Sequence, residues 1–373
     1  MTYERAKAET LTFFGTKCCV VTDDDAITVD WHHLDCDRDN NTKYNLIPIT
    51  TGIHQGYHRD PKKRGAAGIS LDEINEKAWV SFDKGWYKRA YGAQRFLSFA
   101  VRPKDWNLSL RYSVGALTSL RPLYAVDFAV DTLSRSVLPS LRESSPLVQS
   151  LLAMEISMWL RDSGDADGGA FWLEVALALA ESVKWADAQT RLQYARLLMI
   201  QTVSKILKGD SSALDDVARV RESTDDYRAG RGNADLWEAM FHLWKECPHA
   251  FCDIIDKSIS CSLPDSMSRV TLYPGTRLAG TTYWTLAQTL LAQADSAAHR
   301  GKEDERIHYA GLAHELFLTT EIVPAGNLSR ASLDWYQKRH NLPMERRVRT
   351  RAASALAPLY PVLDTIRSIL RSL

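Results

Sequence analysis

Four of the ten histidines in this chain of 373 residues lie close together near its beginning, at His32, His33, His54 and His58. Residues four apart on a helix share one face, so the imidazoles of His54 and His58 can bind one cation together. Adjacent residues on a strand point to opposite faces, so one of His32 and His33 can bind that metal while the other faces a substrate. The spacing therefore predicts a metal centre of three histidines, with the fourth histidine free to face a substrate.

The residues between the two histidine pairs supply the elements that must position them. A β-type run ends at the first pair, a polar loop covers residues 35–44, and Asn45 begins the apolar run NLIPI. A buried asparagine side chain at that point can hydrogen-bond a histidine ring and fix which ring nitrogen carries the proton. Thr50-Thr51-Gly52 can begin the short helix that carries the second pair.

In this order the segment resembles the HNH nuclease motif, which is also called the ββα-metal motif, in its His-His variety. The match consists of H-H-L-D at residues 32–35, a polar loop with Asn40 and Asn41, N-L-I at residues 45–47, and H-x3-H ending at His58. It covers residues 15–60. The resemblance implies a ββα-metal unit whose elements follow in the order strand, loop, strand, helix.

The resemblance also implies a role for each residue of the motif. His32, His54 and His58 would hold one divalent metal ion, which we expect to be magnesium, manganese, zinc or nickel. His33 would act as the general base that takes a proton from water. Asn45 would hold the active loop and orient His33. The reaction would be hydrolysis of a phosphodiester bond, leaving 5′-phosphate and 3′-hydroxyl ends.

The chain departs from the family pattern at one point. Many HNH proteins hold the motif together with two CxxC pairs around a structural zinc ion, but the six cysteines of this chain form no CxxC pair. We therefore expect no zinc ribbon and predict stabilisation by packing against Phe13, Phe14, Trp31 and the helical remainder. Asp30 and Asp35 flank the first histidine pair. Either is an alternative ligand, although a role in a turn or behind a ligand is favoured.

Outside the histidine segment the pattern is predominantly helical. A helix is predicted over residues 3–14, and the runs 18–22 and 26–31 predict a hairpin around an acidic turn. Further along, two pairs of amphipathic segments predict helical hairpins of about 40 residues each. These four segments are 170–184, 186–207, 281–299 and 303–321.

These patterns together predict an α+β fold with two parts. Residues 1–65 would form the HNH nuclease domain, a ββα-metal unit. Residues 66–373 would form a mainly α-helical domain, with irregular tetratricopeptide-like hairpins as one arrangement, that serves as a sensor, an oligomerisation module or a partner-binding module.

Composition limits the partners of the chain. Lysine plus arginine and aspartate plus glutamate both number 46, so nucleic acid would have to be bound by local basic patches rather than by an overall positive field. No apolar stretch is long enough to predict a membrane span. The first residues lack the apolar core of a signal peptide. We therefore expect a cytoplasmic protein with reduced thiols and no membrane partner.

Two classes of function remain open at this point. The first is a metal-dependent endonuclease, with DNA favoured over RNA, regulated by a protein partner or by homo-oligomerisation through the helical domain. A small nuclease domain joined to a large helical domain resembles the plan of some prokaryotic antiviral defence effectors. The alternative is a helical interaction scaffold whose HNH-like element is non-catalytic and serves as a structural metal site or a docking element.

Overall fold

The computed structural model describes most of the first 223 residues and part of the remainder. Within the described residues the chain is mainly helical and contains one two-stranded antiparallel sheet, in agreement with the coarse α+β prediction. No helix in this part of the chain is long and apolar enough to cross a membrane. The described residues are 2–15, 19–21, 29–59, 70–83, 86–162, 165–184, 186–207, 210–223, 300–310 and 356–372, with isolated positions between 238 and 298.

The histidine segment folds as two strands followed by a helix. Helix α1 (Tyr3–Phe14) precedes it, and the segment itself consists of β1 (Val29–His33), β2 (Leu46–Thr50) and α2 (Thr51–Arg59). The strands are antiparallel, with His32 opposite Ile47.

The strand boundaries differ from those predicted for the early hairpin. The strand predicted over 26–31 extends to residue 33, and its partner is β2 rather than the run at 18–22. In that earlier run, the Val20 amide donates to the carbonyl of Pro48 on β2, over 3.0 Å. Much of the predicted hairpin, including its acidic turn, lies outside the described residues.

Three helices follow α2, and each contributes buried side chains to the core that also contains residues of the sheet and α2. They are α3 (Leu71–Asp83), α4 (Tyr87–Val101) and α5 (Trp106–Leu120). The side chain of Asp105 begins α5 by accepting from the Leu108 amide over 2.8 Å, which satisfies one of the free amides of the first turn. Helices α4 and α5 approach closely, because a Cβ on Gly115 would lie 2.9 Å from the Gln94 side-chain oxygen.

One apolar core joins the sheet, α2, α3 and α4. Burial of these side chains is the main force that holds the elements together, at roughly 1.5–3 kcal/mol for each large aliphatic or aromatic side chain. The buried members of this core include Val20, Val21, Leu34, Ile47, Ile49, Ile53, Tyr57, Ile74, Ala78, Phe96 and Leu97.

The next helical stretch contains a buried ionic network. Helix α6 (Val126–Thr132) runs through one π-helical segment, Leu133–Val137, into the short helix α7 (Leu138–Leu141). Arg95 of α4 is 1% exposed, and its guanidinium lies 2.7 Å from the Asp131 carboxylate and also donates to the Ser136 hydroxyl. Arg135 binds the other oxygen of Asp131 over 2.9 Å. The network therefore ties α4 to the α6–α7 stretch.

The remaining helices divide between two compact units. The first unit covers residues 1–155 and 353–373, and it includes α12 (Tyr360–Arg371); the second covers residues 156–352. Thus the first unit contains residues on both sides of the domain boundary predicted at residue 65, and that boundary stays a prediction. The other helices are α8 (Pro146–Asp162), α9 (Ala166–Glu181), α10 (Ala188–Leu207) and α11 (Ala213–Ser223).

The predicted helical hairpins are described only in part. The segments predicted at 170–184 and 186–207 are helical as α9 and α10. The prediction of a second hairpin over 281–299 and 303–321 lies largely outside the described residues. A tetratricopeptide-like arrangement therefore stays a prediction.

Candidate metal centre

Three histidines from two elements, the three predicted as metal ligands, lie close together. His32 lies on β1, and His54 and His58 lie on α2, each offering a ring nitrogen within 4.8 Å of the others. The ring of His32 lies 5.3 Å from each of the other two rings, whose centroids are 4.9 Å apart. In the described part of the chain, this is the only group of His, Cys, Asp or Glu side chains that could hold a metal ion.

Local structure explains why these rings meet. Helix α2 follows β2 without a break, and the Thr50 hydroxyl accepts from the Ile53 amide over 3.4 Å at the start of the helix. His54 and His58 then lie on one face because they are four residues apart. Because side chains alternate along a strand, His32 faces the cluster and its neighbour His33 faces away.

His32 is the buried member of the three-histidine cluster. Its side chain is 1% exposed and contacts the rings of Tyr57 at 4.8 Å and Phe96 at 5.7 Å. Burial, followed by the proximity of the three other histidines, lowers the pKa of His32 to about 3. The ring is therefore neutral at pH 7, which is the form that binds metals.

The donor set fits a divalent transition metal. The Nδ1 atom of His32 is buried and has no hydrogen-bond partner among the described residues, although a buried polar atom normally has one. A cation shared with His54 and His58 would satisfy it. Three imidazole nitrogens suit zinc and nickel in particular. Among the described residues no fourth ligand joins them, as in catalytic rather than structural zinc sites.

Asp30 contacts one histidine of the cluster. It lies two residues before His32 on β1, on the same strand face, and its carboxylate is 3.2 Å from Nδ1 of His54. A carboxylate that accepts from Nδ1–H leaves Nε2 of that ring available to a metal and fixes the ring orientation. Of the roles that the sequence left open for Asp30, this geometry fits the one behind a metal-binding histidine. Asp35 lies instead in the polar loop, where Asn45 and the Asp37 amide bind it.

We expect that Asp30→Ala weakens zinc binding by about 10–100-fold, the usual cost of removing the partner of a metal-binding histidine. The dissociation constant would be measured by competition with a zinc chelator. Asp39→Ala is the matched control, because it removes an exposed carboxylate from the nearby loop. Equal affinities for the Asp30 variant and the unmodified chain would contradict the supporting role.

His33 lies outside the three-histidine cluster and contacts other side chains. Its Nε2 atom is 3.1 Å from the side-chain oxygen of Asn41. The ring of Tyr3, from α1, stacks on the imidazole with centroids 5.9 Å apart and an angle of 25° between the planes. His33 is half-buried and therefore accessible on part of its surface.

Asn45 fastens the polar loop rather than the His33 ring. Its side-chain nitrogen donates to the Asp35 carboxylate over 2.8 Å and to the Asn40 carbonyl over 3.0 Å. Its side-chain oxygen accepts from the Asp35 amide over 3.3 Å. The residue thus holds the loop over residues 35–44. The expected direct contact with His33 is made instead by Asn41, which lies in the loop that Asn45 holds.

The same loop is also attached to the helical stretch. The Lys43 ammonium lies 2.7 Å from the Asp127 carboxylate of α6, and the Tyr44 hydroxyl donates to the same carboxylate over 3.2 Å. The Tyr44 ring packs edge-on against Phe128 at 4.9 Å. The loop beside His33 is therefore fixed at its beginning, where Asn45 binds Asp35, and at its end, where α6 binds Lys43 and Tyr44.

Comparison with known proteins adds no relative. No protein-family model, curated protein sequence or solved structure matches the chain significantly. The resemblance to the HNH motif therefore stays a prediction, and what the chain does has to be inferred from its own residues.

Proposed function

We propose that this chain is a metal-dependent HNH endonuclease that hydrolyses phosphodiester bonds of nucleic acid, with DNA favoured over RNA. The observation that carries the proposal is the cluster of His32, His54 and His58, with a fourth imidazole, His33, on the adjacent strand position but outside the cluster. The order β1, β2, α2 around this cluster is the order that a ββα-metal unit requires.

The residues divide between binding a metal and moving a proton. His32, His54 and His58 would hold one divalent ion, either magnesium, manganese, zinc or nickel. When bound, the ion supplies stabilisation of the negative charge that builds up on the phosphate oxygens. His33 takes a proton from a water molecule, whose oxygen bonds to phosphorus. The bond from phosphorus to the 3′ oxygen breaks, and that oxygen takes up a proton, which gives 5′-phosphate and 3′-hydroxyl ends.

The helical remainder would regulate this site. Because the net charge of the chain is zero, the overall field does not draw it to nucleic acid. We propose that the helices bind a protein partner or a second copy of the chain and respond to a trigger. This arrangement would suit an antiviral defence effector.

The alternative is a helical scaffold with a non-catalytic metal site. Burial of His32 is a feature that such a structural site would share. Structural zinc sites are, however, usually closed by four protein ligands. Within the described residues the cluster has three, so the open position favours the nuclease.

The decisive experiment incubates the purified chain with plasmid DNA, and separately with single-stranded RNA, in the presence of magnesium, manganese, nickel or zinc. We expect metal-dependent cutting by the unmodified chain and a loss of at least about 100-fold in His33→Ala, the usual contribution of a general base. Metal binding, measured by calorimetry, should be retained in that variant.

His308→Ala is the matched control, since it removes an exposed histidine far along the sequence. Unchanged cutting by the His33 variant would overturn the role of that residue. Absence of cutting with every metal and both substrates would favour the scaffold.

A further inference from the structure

The contacts of the His33 ring involve neither the three-histidine cluster nor Asn45. Its imidazole is held at one nitrogen by Asn41 and across one face by Tyr3. A neutral imidazole has one N–H donor and one acceptor nitrogen, so the group that faces Nε2 decides which nitrogen can accept a proton.

The orientation of the Asn41 amide decides which atom faces the ring. The Asn41 side-chain nitrogen donates to the carbonyl of Asp39 over 3.5 Å, on the side away from His33. The oxygen of the same amide therefore faces Nε2 of His33, at 3.1 Å. Since that oxygen can only accept, this contact is a hydrogen bond when Nε2 carries the hydrogen.

We infer that Asn41 is a positioning residue that keeps His33 in the Nε2–H tautomer and so makes Nδ1 the nitrogen that takes the proton from water. The inference rests on the proposed function for the base role of His33. After proton transfer both ring nitrogens carry hydrogen, and Nε2–H still donates to Asn41. The contact therefore holds the ring in the same place before and after the transfer.

The loop explains how Asn41 can perform this task. Asn41 follows directly after Asn40, whose carbonyl is bound by the buried side chain of Asn45. Two residues further on, Lys43 is attached to Asp127 of α6. The amide oxygen of Asn41 is thus presented from a backbone that is fixed on both sides. Tyr3 limits the tilt of the ring, while the hydrogen bond sets its rotation.

The test reads the tautomer directly and does not depend on cleavage. Nuclear magnetic resonance of the full chain labelled with 15N-histidine distinguishes the two nitrogens at about pH 8, where most imidazoles are neutral. The His33 signals are assigned by their loss in His33→Gln. We expect a protonated Nε2 and an unprotonated Nδ1 in the unmodified chain.

Three variants separate the hydrogen bond from general effects on the loop. Asn41→Ala should shift both nitrogen signals toward values averaged over the two tautomers, whereas Asn41→Asp keeps an acceptor and should preserve them. Asn40→Ala, which removes the neighbouring amide, should leave the protonation pattern of His33 unchanged. A protonated Nδ1 in the unmodified chain, or unchanged signals in Asn41→Ala, would overturn the inference.

The kinetic measurement then connects the tautomer to the reaction. If the chain cuts nucleic acid, Asn41→Ala should lower kcat about tenfold, part of the contribution of a general base, with little change in KM. Asn41→Asp should restore most of the rate. An unchanged kcat in Asn41→Ala would refute the positioning role. If the unmodified chain does not cut, the proposed function fails, and the nitrogen signals still decide the tautomer.

Discussion

His54→Ala should reduce the affinity of the chain for zinc by more than about 100-fold, beyond the cost of losing only an outer partner of a ligand. The variant leaves two imidazoles, one of them the buried ring of His32. It also removes the imidazole ring that the Asp30 carboxylate contacts in the unmodified chain. The affinity would be measured by isothermal titration calorimetry with zinc and checked by the metal content of the purified protein.

The same variant should lose the stabilisation that zinc gives. At a free zinc concentration 100 times the dissociation constant, binding stabilises the folded chain by about 2.7 kcal/mol, and this increment should vanish in His54→Ala. His308→Ala again serves as the control and should keep both the affinity and the increment. If His54→Ala bound zinc as tightly as the unmodified chain, the three-histidine centre would be refuted.

Asp131→Ala should lower the free energy of unfolding by about 3–5 kcal/mol, because it leaves the guanidinium of Arg95 buried without its carboxylate. Arg95 is 1% exposed, so its guanidinium has little access to water. Arg135, the second partner of Asp131, is 39% exposed, so its loss of a partner costs less. The unfolding free energy would be measured by urea denaturation.

Two further variants show whether burial is the cause. Glu9→Ala breaks the exposed pair with Arg5 on α1 and should cost less than about 1 kcal/mol. The double variant Arg95→Met with Asp131→Leu should recover much of the loss, since apolar side chains can replace a buried ion pair. If Asp131→Ala lowered the free energy of unfolding no more than Glu9→Ala does, the expectation for Asp131 would be contradicted.

Local spacing made the ligand set of the candidate centre predictable. The four-residue interval of His54 and His58 and the alternation at His32 and His33 depend only on helix and strand geometry. Both intervals are present as expected. The boundary of β1 was placed too early, since the apolar run could not reveal which distant strand it would pair with.

The supports of the site could not be predicted in the same way. Tyr3 and Phe96 reach the histidines from α1 and α4, and nothing in their local sequence marks them, because only tertiary packing brings them there. The contact assigned to Asn45 is made by Asn41, since the choice depends on how the loop closes. The sequence places Asp30 beside the first histidine pair, but its contact with His54 depends on how β1 and α2 pack together.

The placement of Phe96 behind His32 has a consequence for moving this site into other proteins. A fragment that ended at residue 65 would lack α3 and α4, and it would leave His32, Ile53 and Tyr57 open to water on the side where Phe96 packs. The candidate metal centre would therefore lose part of its packing in such a fragment and would not be transferable by itself. A fusion protein built around this centre would need residues 1–155 and 353–373 together, the two stretches that form one compact unit.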